Sequence, residues 1–407
     1  MNKQPTRHST LLAAAIGAVL VFGAVTQVNA QGGAQAAADR AAERRAAKNN
    51  KGSAKQVEQY PNATRTSPEA KASSKGGSKL QKMMDAFDKE KTADARAQAD
   101  AIIADSALNA YERSFAAQIG FQVAYDADDN KAAMEYLKKA IDIGGLDNNS
   151  HFDRMFVLAQ LQLQEDQYAE SLATMERFLS ESKSTKPEHL IVKGNALYRL
   201  ERFPEAAKVI KEAIDATPEP KAEWQQLLMA SYVENNQGAE AAKVAEAIAA
   251  KSPNDKRAQM NVAAVYSQSD MLDKAATVLE KVRAAGQFNE DKDYRQLYST
   301  YLNLDGKEKQ AAGVITEGLE KGILKPDYQA YVALAQSYYF SDQSAKSIDA
   351  YKKAAPLAPD GETYLNLARV LWQEDRIPEA KEAAQQAIAK GVKKPDDAKK
   401  ILALKGK

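Results

Sequence analysis

Glu201 to Ile214 read ERFPEAAKVIKEAI. A short polar turn leads into a small residue, Ala206, and then into a run whose apolar side chains return at helical spacing while Glu and Lys fill the other face. The same arrangement recurs along the chain. Small residues in similar contexts stand at Ala133, Ser171, Ala206, Ala241, Ala275, Ala311, Ser347 and Ala380, separated by 38, 35, 35, 34, 36, 36 and 33 residues. Seven positions after each comes another small or apolar residue: Ala140, Phe178, Ala213, Ile248, Val282, Gly318, Ala354 and Ala387. A repeat of this length calls for one supersecondary unit per period, stacked so that neighbours bury each other's apolar faces.

Twelve positions before the anchors the side chain is again small at Ala159, Gly194, Ala263, Ser299, Ala335 and Ala368. Met229 breaks the rule, and Gly120 meets it with a one-residue shift. Two helices joined by a tight turn approach closely only where side chains do not hold them apart, which predicts a helical hairpin in each period. Pro218, Pro253 and Pro359 fall where the second helix should stop.

These residues resemble the tetratricopeptide repeat. Leu190, Gly194, Leu197, Phe203, Ala206, Ala213 and Pro218 stand at the family spacing, and Tyr232, Tyr266 and Tyr338 take the tyrosine position of the first helix. The second repeat departs most, with Phe178 where a small residue is usual. Upstream, Leu80, Met83, Met84 and Phe87 have i, i+3, i+4, i+7 spacing, and Ala97 lies 36 residues before Ala133. Residues 79–106 therefore read as a degenerate N-terminal pair. Pro395, Asp396 and Asp397 open a last short helix that should cap the array. The expected fold is all-α: a solenoid over 79–394 of about eight tetratricopeptide pairs plus the degenerate N-terminal pair, with a capping helix and tail at 395–407.

The N-terminus reads as an export address. Lys3 and Arg7 precede an apolar run from Leu11 to Val25, and Val28 and Ala30 suit a cleavage site leaving Gln31 first. An uncleaved anchor is the alternative, but fifteen residues rich in Ala and Gly are short for a bilayer core of about 30 Å. A periplasmic location with a signal at 1–30 and no stable membrane insertion afterwards is the expectation. Residues 31–78 read as a disordered basic linker, poor in large aliphatic side chains. From Gln31 to Lys79 ten Lys/Arg face four Asp/Glu. Setting this +6 and the signal's +2 against the chain's +1 leaves −7 for residues 80–407. Such a tether could touch an anionic surface or an acidic partner weakly, or serve as a solvated linker.

Chemistry is sparse. The chain has no cysteine and three histidines, His8, His151 and His189. That excludes disulfides, thiolate metal sites and cysteine nucleophiles, and the histidines have no second ligand within helical reach. His151 opens a first helix beside Asp153, and His189 falls in the turn before the third repeat. Gly144 and Gly145 read as a helix stop, with no phosphate-loop spacing around them. The near-neutral total excludes a uniformly basic nucleic-acid binder. No enzyme, cofactor or metal is expected.

Binding is the expectation that remains, because the resemblance implies first helices lining a concave groove. Its groove positions project onto Asn195, Tyr198, Arg199, Gln226, Met260, Ser267, Gln296, Asn303, Gln336, Tyr339, Arg369 and Trp372. Tyr, Trp and Arg are the types enriched at binding hot spots. Tyr339 and Trp372 could instead pack inside the array. The Lys-and-Asn clamp of cytosolic co-chaperones is missing, with Met260 and Gln226 where its lysine would stand. Residues 80–404 further resemble the periplasmic tetratricopeptide proteins found with TonB, ExbB and ExbD, above all in Tyr301–Lys325 and Gly361–Pro395. That resemblance implies an accessory scaffold for outer-membrane uptake, with TonB, ExbB or ExbD as partner. A general envelope-assembly or secretion scaffold is the alternative.

Overall fold

The computed structural model describes residues 57–404. The signal at 1–30 and the first part of the linker lie outside the described residues. Among those described, the regular structure is nineteen α-helices and one 3-10 turn, Ala355–Leu357, with no strand. The chain divides into two compact units at Asn236 and Gln237.

The first unit holds α1 (Ser74–Asp88), α2 (Thr92–Ala104), α3 (Ala110–Asp126), α4 (Asn130–Ile143), α5 (Asn148–Gln164), α6 (Tyr168–Ser182), α7 (Pro187–Arg199), α8 (Phe203–Asp215) and α9 (Ala222–Glu234). The second holds α10 (Gly238–Ala250), α11 (Lys256–Gln268), α12 (Leu272–Ala284), α13 (Asp291–Leu302), α14 (Glu308–Glu320), α15 (Tyr328–Phe340), α16 (Ser344–Ala354), α17 (Glu362–Gln373), α18 (Ile377–Ala389) and α19 (Pro395–Leu402). Within each unit every helix packs against the next in chain order, as expected of an α-solenoid of helical hairpins.

The anchors explain the packing. All eight, from Ala133 to Ala380, are completely buried, and each is the fourth residue of its second helix. Where the anchor is serine, its hydroxyl reports the close crossing directly. Ser171 Oγ donates to the Ala159 carbonyl at 2.7 Å and Ser347 Oγ to the Ala335 carbonyl at 2.8 Å, each twelve residues upstream. Gly194 has the same origin, since a Cβ there would lie 2.4 Å from Ile210 Cγ1. Gly120 likewise leaves room for the Tyr136 ring.

Five residues before each anchor the backbone turns left-handed. Asp128, Asp166, Glu201, Asn236, Asp270, Asp342 and Asp375 have φ between 56° and 60°, and Gly306 has φ 74°. Asp and Asn tolerate this region better than other side chains, and glycine best. Glutamate has no such advantage, so Glu201→Gly should stabilise the first unit by about 0.5–1 kcal/mol. Thermal unfolding of the single variant checks this, and a lowered melting temperature would contradict it.

Three expectations need correction. The anchor of the first pair is Ala95, not Ala97: Ala95 is fully buried, is the fourth residue of α2, and follows the left-handed Glu90 by five. Ala97 is exposed. Ser299 is exposed too, because the turn after α13 runs from 303 to 307, two residues longer than its counterparts, and shifts the helix register. Thirdly, the linker does not extend to 78. Residues 57–73 form an ordered strap on the first unit, and α1 starts at Ser74. Tyr60 is 3% exposed, packed edge-on against Phe152 at 5.1 Å and Phe178 at 6.0 Å. Thr64 N–H donates to the Glu181 carbonyl at 2.8 Å. Arg65 donates to the carbonyls of Gly144 and Leu146 and to Asn148 Oδ1. One aromatic ring and one guanidinium supply what composition alone could not reveal. Phe178, the departure from the repeat pattern, is a wall of the Tyr60 socket.

Candidate protein-binding surfaces

Two of the family tyrosines, Tyr266 and Tyr338, tie one repeat to the next, and so does Tyr301. In the second unit Tyr266 donates its hydroxyl to Glu246, Tyr301 donates to Glu280 at 2.7 Å, and Tyr338 bonds Thr316 at 3.1 Å. Each links a first helix to the second helix of the preceding pair. Burial and then the adjacent carboxylate push the Tyr266 phenol up to about 12, so it stays a donor at neutral pH.

Four of the projected positions lie in the first unit. Asn195 and Gln226 are half-buried on α7 and α9. Tyr198 packs edge-on against Phe203 of its own hairpin, 5.5 Å between centroids. Arg199 lies over the Tyr168 ring at 4.7 Å, bonds the Tyr168 hydroxyl and reaches Asp166 at 3.4 Å. Its guanidinium is therefore spent on the neighbouring hairpin.

Eight lie in the second unit. Met260 is half-buried against the core, and Gln296 is half-buried on α13. Ser267 Oγ donates to the Ala263 carbonyl at 3.0 Å, and Asn303 Nδ2 to the Ser299 carbonyl at 2.8 Å. Both side chains serve their own helices. Gln336 is exposed and Tyr339 half-buried on α15, while Arg369 and Trp372 are exposed on α17. Tyr339 donates to Gln373 Oε1 at 3.0 Å, which joins the two helix ends. Trp372 is 46% exposed, so it does not pack wholly inside the array. Arg369 pairs with Asp397 of α19 at 3.0 Å, an exposed contact of small energetic weight.

Sequence reasoning missed Phe340, 67% exposed and edge-on to Tyr339 at 5.2 Å, and Leu302, 38% exposed. Both end a first helix immediately before its turn. The signal was a large apolar residue in the last position of α15, after the tyrosine pair in YYF. Gln336, Tyr339 and Phe340 lie toward the end of α15 and Arg369 and Trp372 toward the end of α17, two ends joined by the Tyr339–Gln373 bond, with the Arg369 guanidinium held by Asn366 and Asp397.

The histidines lie elsewhere. His189 is the third residue of α7 rather than part of the preceding turn. Its Nδ1 bonds Ser184 Oγ at 2.8 Å, and its ring packs on Phe156 and Phe178. His151 is 2% exposed, with neither ring nitrogen hydrogen-bonded. Among the described residues no group of three or more His, Cys, Asp or Glu is placed to hold a metal ion.

The helical hairpins and their buried anchors make the fold an α-solenoid of tetratricopeptide pairs. The profile of the tetratricopeptide repeat-like domain matches residues 62–230, and that of the tetratricopeptide repeat matches 328–360. Among solved structures the chain is similar to a tetratricopeptide repeat protein from Parabacteroides merdae, at 17% identity over 63% of this chain and 98% of that one, TM-score 0.39. It is also similar to the C-terminal part of a repeat-containing protein from Cytophaga hutchinsonii, at 15% identity over 61% and 100%, TM-score 0.46. A third likeness is to MamA from Desulfovibrio magneticus, at 23% identity over 42% and 93%, TM-score 0.34. No curated protein matches the chain.

Proposed function

We propose that the protein is a periplasmic binding scaffold that holds a segment of a partner protein on the first helices of its second unit, as an accessory of a TonB-type uptake system. The observation that carries the binding role is the exposure of Phe340 and Trp372, on helix ends joined by the bond from the half-buried Tyr339 to Gln373. Large rings left in solvent cost free energy that a partner recovers on docking, and aromatic and Arg side chains supply most of the energy at such contacts. The export address supports the location. Resemblance over 80–404 to periplasmic repeat proteins found with TonB, ExbB and ExbD supports the system.

In-cell crosslinking followed by recovery of the tagged protein tests this, with the triple variant Tyr339→Ala/Arg369→Ala/Trp372→Ala beside it. TonB, ExbB or ExbD should be recovered with the unaltered chain and lost, by about tenfold or more, with the variant. Another client dependent on the same residues would replace the uptake role with the envelope-assembly reading. Equal recovery with the variant would remove the ends of α15 and α17 as the binding surface.

A further inference from the structure

Residues 57–67 hold their place on the first unit through hydrogen bonds and ring contacts, with His189 under the Tyr60 ring and His151 in the field of Arg65. Asn149 pairs with the strap backbone: its Oδ1 accepts from Gln59 N–H at 2.8 Å and its Nδ2 donates to the Val57 carbonyl at 2.9 Å. Two residues on, His151 is buried with both nitrogens unbonded. Tyr60 stacks on His189 at 6.4 Å and donates to Asp153 at 3.1 Å. Lys186 Nζ lies 5.5 Å from the Tyr60 centroid and donates to Gln59 Oε1.

We propose that the strap is an acid-released latch, docked while His151 and His189 are neutral and let go when they take up protons. The surroundings favour neutral rings. His151 faces Arg65 of the strap and Arg177 of α6, with Glu181 as the opposing carboxylate, and Glu181 is already paired with Arg177 at 2.8 Å. His189 faces Lys186 and Glu188 at the start of its own helix, the Ser184 hydroxyl, and otherwise the rings of Tyr60, Phe156 and Phe178. A proton on either imidazole would add a cation beside Arg65 or Lys186 with no free carboxylate bonded to it.

Burial, and after it these cations, hold both imidazoles down to about 4. The sign follows from that depression. Docking is complete above the free histidine value of about 6.5 and weakens as pH falls toward 4, by up to about 300-fold per histidine if release restores the ordinary value.

The chain from Gln31 onward retains only these two histidines and no cysteine, so both ends of the idea are measurable. Val57 is 83% exposed, and a Val57→Cys variant carries a fluorophore whose anisotropy reports the strap. Anisotropy should drop between pH 6.5 and 4 while the helical circular dichroism holds. His151→Leu/His189→Leu should abolish that drop. A fall that coincides with loss of helix, or that persists in the double variant, would overturn the latch. Should the double variant not fold, proton NMR decides. In Tyr60→Ala/Arg65→Ala the two histidine midpoints should rise by about two pH units, and unchanged midpoints would show that strap and histidines are not coupled.

Discussion

Gly145→Ala should lower the stability of the first unit by about 3 kcal/mol, near the top of the range for overpacking. A Cβ at this position would lie 2.1 Å from both the carbonyl carbon and the oxygen of Ala110, and 2.4 Å from Tyr111 N. Those are backbone atoms at the start of α3. They cannot rotate aside as a side chain would, so relief requires shifting a helix whose N-terminus is fixed by a capping box between Asn109 and Glu112. The Gly145 N–H also donates to Ser114 Oγ at 2.9 Å, a buried bond that the shift would stretch. Its neighbour provides the control. Gly144 ends α4 at φ 71° with no Cβ clash closer than 3.8 Å, so Gly144→Ala should cost only about 1 kcal/mol, the backbone term. Chemical denaturation of the two variants, followed by a probe in the first unit, checks the difference. Equal losses would mean that the contact at Ala110 is not rigid.

Asp293→Ala is expected to cost a similar amount, about 3 kcal/mol, in the second unit. This carboxylate is completely buried at the start of α13. Its Oδ2 accepts from Lys256 Nζ at 2.6 Å and from the backbone N–H groups of Asn289 and Glu290 at 3.0 Å. Removing it leaves a mostly buried ammonium with only Asn289 Oδ1 at 2.6 Å and Glu290 at 3.7 Å, and takes the acceptor from two helix-entry donors. Lys256→Met in the same background should recover part of the loss, because it removes that charge while keeping the aliphatic stem. A double-mutant cycle reads the coupling. If the two losses simply add, the pair does not join α11 to α13 energetically.

The hairpins were legible because their signal is periodic. Eight small residues in near-constant register constrain one another, and each proves to be a buried crossing. Spacing from Ala133 alone leads to Ala97 as the first anchor. A polar residue in the left-handed position, Glu90, would have fixed Ala95. Ser299 failed for the opposite reason: two extra turn residues at 303–307 keep the period plausible while moving the helix beneath it. The strap was illegible to composition. Its side-chain hold on the first unit rests on Tyr60 and Arg65, two residues whose partners Asp153 and Asn148 lie some eighty to ninety positions away. Among the projected binding positions, the type of each residue was known and its occupation was not. Arg199 and Ser267 satisfy neighbours within the fold, whereas Trp372 and the unforeseen Phe340 remain turned to solvent.

The strap also sets where the basic lead leaves the body. Val57 bonds Asn149 at the start of α5, the first helix of the third hairpin, rather than continuing from α1. Whatever precedes Val57 in the sequence therefore joins the first unit at its third hairpin, four helices inside the array, and not at its terminal helix.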